Sequence, residues 1–389
     1  MREVECGGER STVPLAIASA PQGLNIAVVG GSNSLIRDGY LACFQHELEA
    51  EHGVRVATLT NLSLGGSSSF FGLAQLCRTG VHRDVHILIV EYALNDSAGF
   101  SRKPALYDHW ARAYEGILRK ALTENPELMV VSLILGQQSG AHRRRICPYS
   151  AGIHFMSARY GAHVIDLNEI LAREQPDAFD DDALYADVSH YSRPYGVAVV
   201  GSIVAREMAR ALQSHGGAKL PRPIYAQNYS HARYLADLSP FLQGPRGETV
   251  YQNRAFDLRA AELLPTAALS FRLSGRVLSI SFVSHPASAS LKVRVGDAEF
   301  VQNTARATFR TKPLKFLQST LMPEVHGGYT LGGNRVAISM TVLGGAEARA
   351  EPDPEAGHDE AAGPLLPPMA AAPISFAPLG VLYCGSLSP

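Results

Sequence analysis

The sequence lacks the features that mark membrane-spanning, nucleic-acid-binding and metal-binding proteins. No apolar run approaches the roughly 18 residues that a membrane-spanning helix needs. The net charge is -1, from 35 basic and 36 acidic residues, so there is no basic excess to attract a polyanion. The five cysteines are scattered without a C-x-x-C pair, which is typical of reduced thiols in a cytoplasm and gives no metal-ligand spacing. We therefore expect no membrane span, no nucleic-acid partner, no metal and no organic cofactor.

The N-terminal segment lacks the pattern of an export signal. Its apolar core runs only from Val13 to Ala18, and the residues before it mix arginines with glutamates. We interpret residues 1–24 as a flexible lead-in and expect a cytoplasmic location.

The chain is long enough for more than one domain. At 389 residues it exceeds the roughly 150 residues of a typical domain, which favours two domains. Residues 25–216 alternate short apolar runs with helix-period segments such as Leu106 to Leu122 and the stretch that starts at Pro194. The apolar runs are NIAVVG, RVATLTNLS, VHILIVEY, LMVVSLILG and AHVIDL. This alternation predicts an α/β domain with a parallel sheet covered by helices on both faces.

The pattern of apolar and polar residues changes after Gly216. A proline-containing connector leads into segments that alternate apolar with polar residues, among them ALSFRLSG, RVLSISFVS, ASLKVRVG, AEFVQN, ARATFRT, RVAISMTVL and ISFAPLGVLYCG. Residues 217–389 are therefore predicted to form an antiparallel β-sandwich of jelly-roll type. The acidic, proline-rich stretch 344–373 is predicted to be a mobile excursion before the last strand.

Small and polar residues follow the predicted strands of the first domain. Ser32 comes directly after the first strand and two glycines, Gly66 follows the second strand, and Asn95 follows the third. Asp187 precedes His190 by three residues, just ahead of the last helix. Each fragment alone is compatible with an ordinary turn, a helix cap or surface polarity. Ligands of open parallel sheets bind outside the carboxyl ends of the strands, so the combination indicates a site there.

These fragments, in this order, resemble the motif blocks of the SGNH, or GDSL-type, hydrolase superfamily, which centre on a Ser, a Gly, an Asn and an Asp-x-x-His. The resemblance covers residues 25–213 and implies a three-layer α/β/α, flavodoxin-like domain. It implies that Ser32, Asp187 and His190 are catalytic, and that Ser32, Gly66 and Asn95 donate hydrogen bonds to an oxyanion. Two positions depart from the family pattern, since Gly31 replaces the usual Asp and Ala93 replaces the usual Gly.

These residue types suit acyl transfer. A serine hydroxyl attacks well at neutral pH only when a base such as His190 takes its proton, and Asp187 would orient that base. Ser34 is a competing nucleophile by composition, and the α/β-hydrolase elbow G-x-S-x-G is absent. Asp96 is interpreted as structural, since the neighbouring Asn95 already fills the donor role.

Two groups of residues are candidates for contacts with a substrate. His142 and Arg143, after the fourth strand, are candidates for holding an anionic group of the substrate, although a solvated basic loop is the favoured interpretation. The tyrosines near the second domain could stack on sugar rings or pack in a core; they are Tyr225, Tyr229, Tyr234 and Tyr251.

Three functions follow from the resemblance. The first is a serine esterase that hydrolyses O-acyl, chiefly O-acetyl, esters of a small molecule or polysaccharide through an acyl-enzyme. The second is a polysaccharide O-acetyltransferase that uses the same residues. The third is a carbohydrate-binding protein whose first domain has lost activity. The appended β domain favours a carbohydrate substrate by analogy with family members that carry sugar-binding modules. The oligomeric state is left open.

Overall fold

The computed structural model describes residues 22–101, 104–138, 140–177, 182–217, 219–252, 257–305, 316–323, 336–344 and 374–388. The chain divides into two compact units, Met1–Ser230 and His231–Pro389. The predicted lead-in lies outside the described residues up to residue 21, and the predicted excursion lies outside them from residue 345 onward.

A five-stranded parallel sheet forms the centre of the first unit. Its strands are β1 (Leu24–Gly30), β2 (Val56–Asn61), β3 (Ile87–Glu91), β4 (Met129–Ile134) and β5 (His163–Asp166). Their order across the sheet is β2-β1-β3-β4-β5. The inner strands β1, β3 and β4 are buried almost throughout, as expected for parallel strands covered on both faces. The order reverses between β1 and β3, and ligands of such sheets bind in the crevice at this switch point.

Eight helices of the described residues accompany this sheet. They are α1 (Ser32–Leu35), α2 (Tyr40–Ala50), α3 (Ser69–Thr79), α4 (Ala93–Phe100), α5 (Pro104–Glu124), α6 (Gly140–Tyr160), α7 (Leu167–Glu174) and α8 (Tyr195–Ser214). The predicted helix over residues 106–122 lies within α5, and its apolar residues Trp110, Tyr114 and Ile117 are fully buried. Among the residues described, no helix combines the length and the apolar character needed to cross a membrane.

The first unit extends beyond the expected boundary at residue 216 because the connector packs on α5. The carboxylate of Glu115, which is fully buried, accepts the backbone N–H of Ile224 at 2.6 Å and that of Tyr225 at 2.9 Å. The hydroxyl of Tyr229 lies 2.7 Å from Nδ1 of His109. Tyr229 is buried, so its ring packs in the core instead of presenting a surface to a sugar. The alternation of apolar residues that defines the first domain stops before these contacts, so the sequence pattern does not show them.

The second unit is built from antiparallel strands. They are β6 (Arg233–Leu235), β7 (Leu242–Gln243), β8 (Arg246–Gln252), β9 (Asp257–Leu263), β10 (Ala268–Ser284), β11 (Ser290–Val295), β12 (Ala298–Asn303), β13 (Leu317–Leu321), β14 (Val336–Val342) and β15 (Ala377–Ser388). One sheet has the order β12-β11-β14-β10-β15-β6, with β7 and β13 also paired to β10, and β8 pairs with β9. The predicted fold class, a parallel α/β domain followed by an antiparallel β domain, is confirmed.

The long strand β10 differs from the sequence pattern, which divides this segment into two strands at Gly275. Gly275 has a φ of 141° and pairs with Gly385 of β15. A Cβ atom at Gly275 would lie 2.0 Å from the carbonyl oxygen of Cys384, so only glycine fits there. Gly275 therefore allows β10 and β15 to approach closely, whereas the sequence pattern predicts that a strand ends at this glycine. The predicted strand ARATFRT lies outside the described residues apart from Ala305.

Candidate active site

Ser32 lies where the sequence predicts it, at the carboxyl end of β1. It is the first residue of the short helix α1, and Gly31 precedes it in an extended conformation. The first N–H groups of a helix have no acceptor within the helix, so the N–H of Ser32 is free to serve a ligand by its position. Ser32 is partly exposed, whereas the next two residues of α1 are buried.

His190 is brought to Ser32 from 158 residues further along the chain. Its Nε2 atom lies 2.7 Å from Oγ of Ser32. Its Nδ1 atom lies 2.9 Å from Oδ1 and 2.8 Å from Oδ2 of Asp187. The three side chains therefore form one continuous hydrogen-bonded chain from carboxylate to imidazole to hydroxyl.

Hydrogen bonds keep Asp187 ionised. Partial burial opposes its charge, but the N–H groups of Ser189 and His190 and the His190 ring all donate to it, and the net effect lowers the pKa of Asp187 below its ordinary value. An ionised carboxylate only accepts hydrogen bonds, so Nδ1 of His190 carries the proton and Nε2 is left to accept the proton of Ser32. This is the tautomer that general-base chemistry requires.

The loop that carries His190 is held by two further side chains. Nδ2 of Asn33, the residue after Ser32, donates to the carbonyl oxygen of Ser189 at 2.8 Å. Nε2 of Gln137, which follows β4, donates to Oγ of the same Ser189 at 3.1 Å. Asn33 and Gln137 are both buried, so these bonds are shielded from water and fix the loop relative to β1 and β4.

The other predicted donors follow the strands on either side of β1. The loop after β2 is hydrogen-bonded to β1 through the N–H of Leu64, which donates to the carbonyl of Gly30 at 3.0 Å. A Cβ atom at Gly65 would lie 3.6 Å from Cβ of Ser32, so this loop runs beside the serine. Gly66 follows with a φ of 66°, a left-handed conformation that favours glycine.

Asn95 lies in the first turn of α4, which follows the end of β3. A Cβ atom at Gly31 would lie 2.7 Å from Oδ1 and 3.1 Å from Nδ2 of Asn95, so the amide packs directly on the residue before Ser32. In this chain a side chain at residue 31 would therefore displace the Asn95 amide.

The two alternatives raised by the sequence are buried. Ser34 is fully buried, and its Oγ is bonded to a carboxylate oxygen of Glu91 at 2.8 Å and to the hydroxyl of Tyr40 at 2.8 Å. Asp96 is also fully buried, and it accepts the N–H of Ser69 at 2.9 Å and the indole N–H of Trp110 at 2.8 Å. Because both side chains are buried, neither is accessible to a substrate.

The predicted substrate contacts after β4 are only partly described. The side chain of His142 lies outside the described residues. Arg143 donates to the carbonyl oxygen of Gln138 at 2.9 Å, so its guanidinium is at least partly committed to the loop that follows β4. A role of either residue in binding substrate stays a prediction.

One group of possible metal ligands occurs among the described residues, formed by His154, Asp166 and Glu169. Asp166 caps α7 by accepting the N–H groups of Asn168 and Glu169, and it also accepts the hydroxyl of Ser150 at 2.6 Å. These hydrogen bonds explain the position of the Asp166 carboxylate without a bound ion.

The sequence reasoning missed Glu91, Asn33 and Gln137. A usable signal existed only for Glu91, since a charged residue ends an otherwise apolar run, VHILIVEY. Asn33 and Gln137 become recognisable only when the loop around Ser189 is placed beside them.

The parallel α/β unit, with the sheet order β2-β1-β3-β4-β5, and the antiparallel β unit that follows it form a two-domain fold that solved structures share. The chain is similar to a two-domain esterase (CEX) active on acetylated mannans, solved with mannopentaose, with 14% identity, a TM-score of 0.64, and coverage of 96% of this chain and 94% of that chain. A second structure of a two-domain esterase of that description has 13% identity and a TM-score of 0.64, and the match covers 96% of this chain and 95% of that chain. No family model matches the sequence, and no curated protein sequence matches it.

Proposed function

We propose that this protein is a serine esterase that hydrolyses O-acetyl esters of a carbohydrate, with Ser32 as nucleophile, His190 as general base and acid, and Asp187 as its partner. The observation that carries the proposal is the 2.7 Å contact between Oγ of Ser32 and Nε2 of His190. A nucleophile within hydrogen-bond reach of a base, with the base oriented by a third group, is the signature of an activated serine.

The first half-reaction forms an acyl-enzyme. Oγ of Ser32 attacks the carbonyl carbon of the ester while its proton moves to Nε2 of His190, and the imidazolium is stabilised by Asp187. The negative oxygen of the tetrahedral intermediate is received by the N–H groups of Ser32 and Gly66 and by the Asn95 amide. His190 then gives its proton to the departing sugar oxygen as the ester C–O bond breaks.

The second half-reaction restores the enzyme. A water molecule gives a proton to His190 and attacks the acyl carbon, the same donors hold the second oxyanion, and the proton returns to Oγ of Ser32 as acetic acid leaves. The proton of Ser32 leaves on the sugar hydroxyl and a proton from water replaces it, so Ser32 and His190 return to their starting states.

The choice of substrate rests on the comparison. The proteins with the same two-domain fold are described as active on acetylated mannans, which supports an acetylated polysaccharide as the substrate class. The fold alone does not carry substrate preference, so the proposal needs a direct test.

The test follows the acetyl group. Purified protein is incubated with p-nitrophenyl acetate, alone and with a deacetylated mannan, and separately with acetylated mannan, using Ser32→Ala as the control. With the native protein we expect nitrophenol and free acetate from both incubations with p-nitrophenyl acetate, and free acetate from acetylated mannan. With the control we expect no release above the rate without enzyme. Transfer of the acetyl group to the mannan would identify an acetyltransferase. Absence of nitrophenol would leave a carbohydrate-binding protein without this activity.

A further inference from the structure

Glu91 is a buried carboxylate at the candidate site for which the proposed mechanism has no role. It is the last residue of β3, and its Cα pairs in register with that of Gly30, the last residue of β1. The side chain is 1% exposed, although the rest of β3 is apolar. Burying a carboxylate is costly unless it is hydrogen-bonded, so its contacts deserve an explanation.

One oxygen of Glu91 bonds to the backbone before Ser32 and to a side chain after it. Oε2 accepts the N–H of Gly31 at 3.0 Å and the hydroxyl of Ser34 at 2.8 Å. Ser34 is linked in turn to the hydroxyl of Tyr40 in α2 at 2.8 Å. The turn that presents Ser32 is therefore anchored on both sides by the same atom.

The glycine before this turn makes room for the carboxylate. A Cβ atom at Gly30 would lie 2.9 Å from Oε2 of Glu91 and 2.8 Å from Oγ of Ser34. Such distances are too short for a real Cβ, so a side chain at residue 30 would displace the carboxylate. Gly30 at the end of β1 thus accommodates the side chain of Glu91, and Gly31 after it accommodates that of Asn95.

We infer that Glu91 is a positioning residue: it fixes the peptide of Gly31 and the start of α1, and thereby sets where Oγ and the N–H of Ser32 point. The inference rests on the proposed function. A displacement of about 1 Å at a reacting group can cost around a hundredfold in rate, so an anchor this close to the nucleophile acts on the chemical step. Substrate affinity depends on other surfaces and is expected to change little.

The anchoring does not require a charge. Burial raises the pKa of Glu91 to about 7, with the hydrogen bonds from Gly31 and Ser34 opposing this and the nearby Asp96 carboxyl adding to it. The titratable groups that interact with Glu91 include Tyr40 of α2, Tyr114 of α5, Asp96 of α4, Tyr92 and Tyr191. An oxygen acceptor at the position of Oε2 is present in the ionised acid, in the neutral acid and in a glutamine amide.

The test compares Glu91→Gln, Glu91→Asp and Glu91→Leu by kcat and KM on p-nitrophenyl acetate and by melting temperature. Glutamine keeps the acceptor in place, aspartate withdraws it, and leucine removes it. We expect kcat within about threefold of the native value for Gln, and losses of roughly tenfold for Asp and a hundredfold for Leu, with KM within about threefold throughout. The Glu91→Asp variant retains a short carboxyl and so provides a result even if Glu91→Leu fails to fold.

Glu115 supplies the matched control, since it is also a fully buried, hydrogen-bonded glutamate of the first unit but contacts Ile224 and Tyr225. Glu115→Gln and Glu115→Leu are expected to lower the melting temperature and to leave kcat unchanged. Native kcat in Glu91→Asp, or a kcat in Glu91→Gln as low as in Glu91→Asp, overturns the inference. If the native protein itself releases no nitrophenol, it is the proposed function that fails.

Discussion

At the scale of single residues, the carboxylate of Asp187 has two tasks that can be separated by one substitution. Its Oδ1 accepts the N–H groups of Ser189 and His190, both at 2.9 Å, and both its oxygens face Nδ1 of His190. An asparagine would keep an oxygen for the two backbone donors and so turn its NH₂ group toward the ring. The ring would then have to accept at Nδ1, leaving Nε2 protonated and unable to act as a base.

We therefore predict that Asp187→Asn lowers kcat by about 10⁴ while the loop around His190 keeps its shape. The measurement is kcat on p-nitrophenyl acetate, with the melting temperature as a check on folding. A loss smaller than about tenfold in a folded variant would show that Asp187 does not set the tautomer.

The Asn95 amide gives a second residue-level prediction. It packs on Gly31 directly before the nucleophile, where it could donate to an oxyanion but is not needed for the Ser32–His190 contact. Asn95→Ala should lower kcat by about 10² to 10³ because one oxyanion donor is lost. KM should change much less, since the donor matters mainly in the transition state. A variant with an unchanged kcat and a raised KM would instead make Asn95 a ground-state binding residue.

The sequence predicted Ser32, Gly66 and Asn95 because each follows a strand, and the ends of parallel strands meet at one edge of a sheet. Asp187 and His190 precede the last helix, and they were predicted from the order of the motif fragments. It could not predict Glu91 as an anchor, since that role depends on the register that places Gly30 beside Glu91. The Asn33 bond to Ser189 is similarly invisible, because it joins residues 156 positions apart.

At the scale of elements, β5 and α8 meet through a pair of histidines that couples stability to pH. Nε2 of His163, at the start of β5, lies 3.1 Å from Nδ1 of His215, which follows α8. Burial lowers the pKa of both rings, and for His163 the proximity of His215 lowers it further. A histidine with a lowered folded pKa stabilises the fold fully above its unfolded pKa of about 6.5, and this contribution is lost as the pH falls below that value.

We predict that the melting temperature of the native protein falls more between pH 7 and pH 5 than that of His215→Gln. Buried acids with raised pKa values, Glu91 and Asp96, act in the opposite direction but are common to both proteins. The difference between the two curves therefore isolates the histidine pair, with a slope of at most about 1.4 kcal/mol per pH unit for each proton. Parallel curves over this range would contradict the coupling.

The strands of the first unit could be predicted to within a few residues because their apolar runs are long and bounded by turn residues. In the second unit, the sequence pattern wrongly divides β10 at Gly275, and its continuation through this glycine could not be predicted. A glycine opposite a glycine in a neighbouring strand has the same local sequence as a glycine in a turn, and only the partner strand β15 distinguishes them.

For the whole molecule, we propose a domain boundary at residue 230, because the connector after residue 216 contacts the first unit. Composition favoured a boundary at residue 216, because the proline-containing connector resembles a linker and its contacts with α5 are non-local. Cutting at residue 216 would remove the N–H groups of Ile224 and Tyr225 from the buried carboxylate of Glu115. Glu115 would keep the Tyr160 hydroxyl as a donor but lose both backbone donors, and a buried acceptor that loses its partners is destabilising by roughly 1 to 3 kcal/mol.

We predict that a fragment of residues 1–230 folds and hydrolyses p-nitrophenyl acetate, whereas residues 1–216 form a less stable product. At about 2 to 4 °C per kcal/mol for a domain of this size, the melting temperatures should differ by several degrees at least. Glu115→Gln within the shorter fragment should recover part of the difference, since a neutral amide is less costly than a carboxylate to bury when the two backbone donors are gone and the Tyr160 hydroxyl remains. Equal melting temperatures for the two fragments would place the boundary back at residue 216.

Covalent labelling of the full chain shows whether Ser32 is a nucleophile activated by His190. A fluorophosphonate reacts with activated serines, and peptide mass spectrometry locates the modified residue. We expect a single adduct on Ser32, which disappears in Ser32→Ala, forms far more slowly in His190→Ala and is largely retained in Ser34→Ala. An adduct that persists in Ser32→Ala, or a native protein that is not labelled at all, would contradict this expectation.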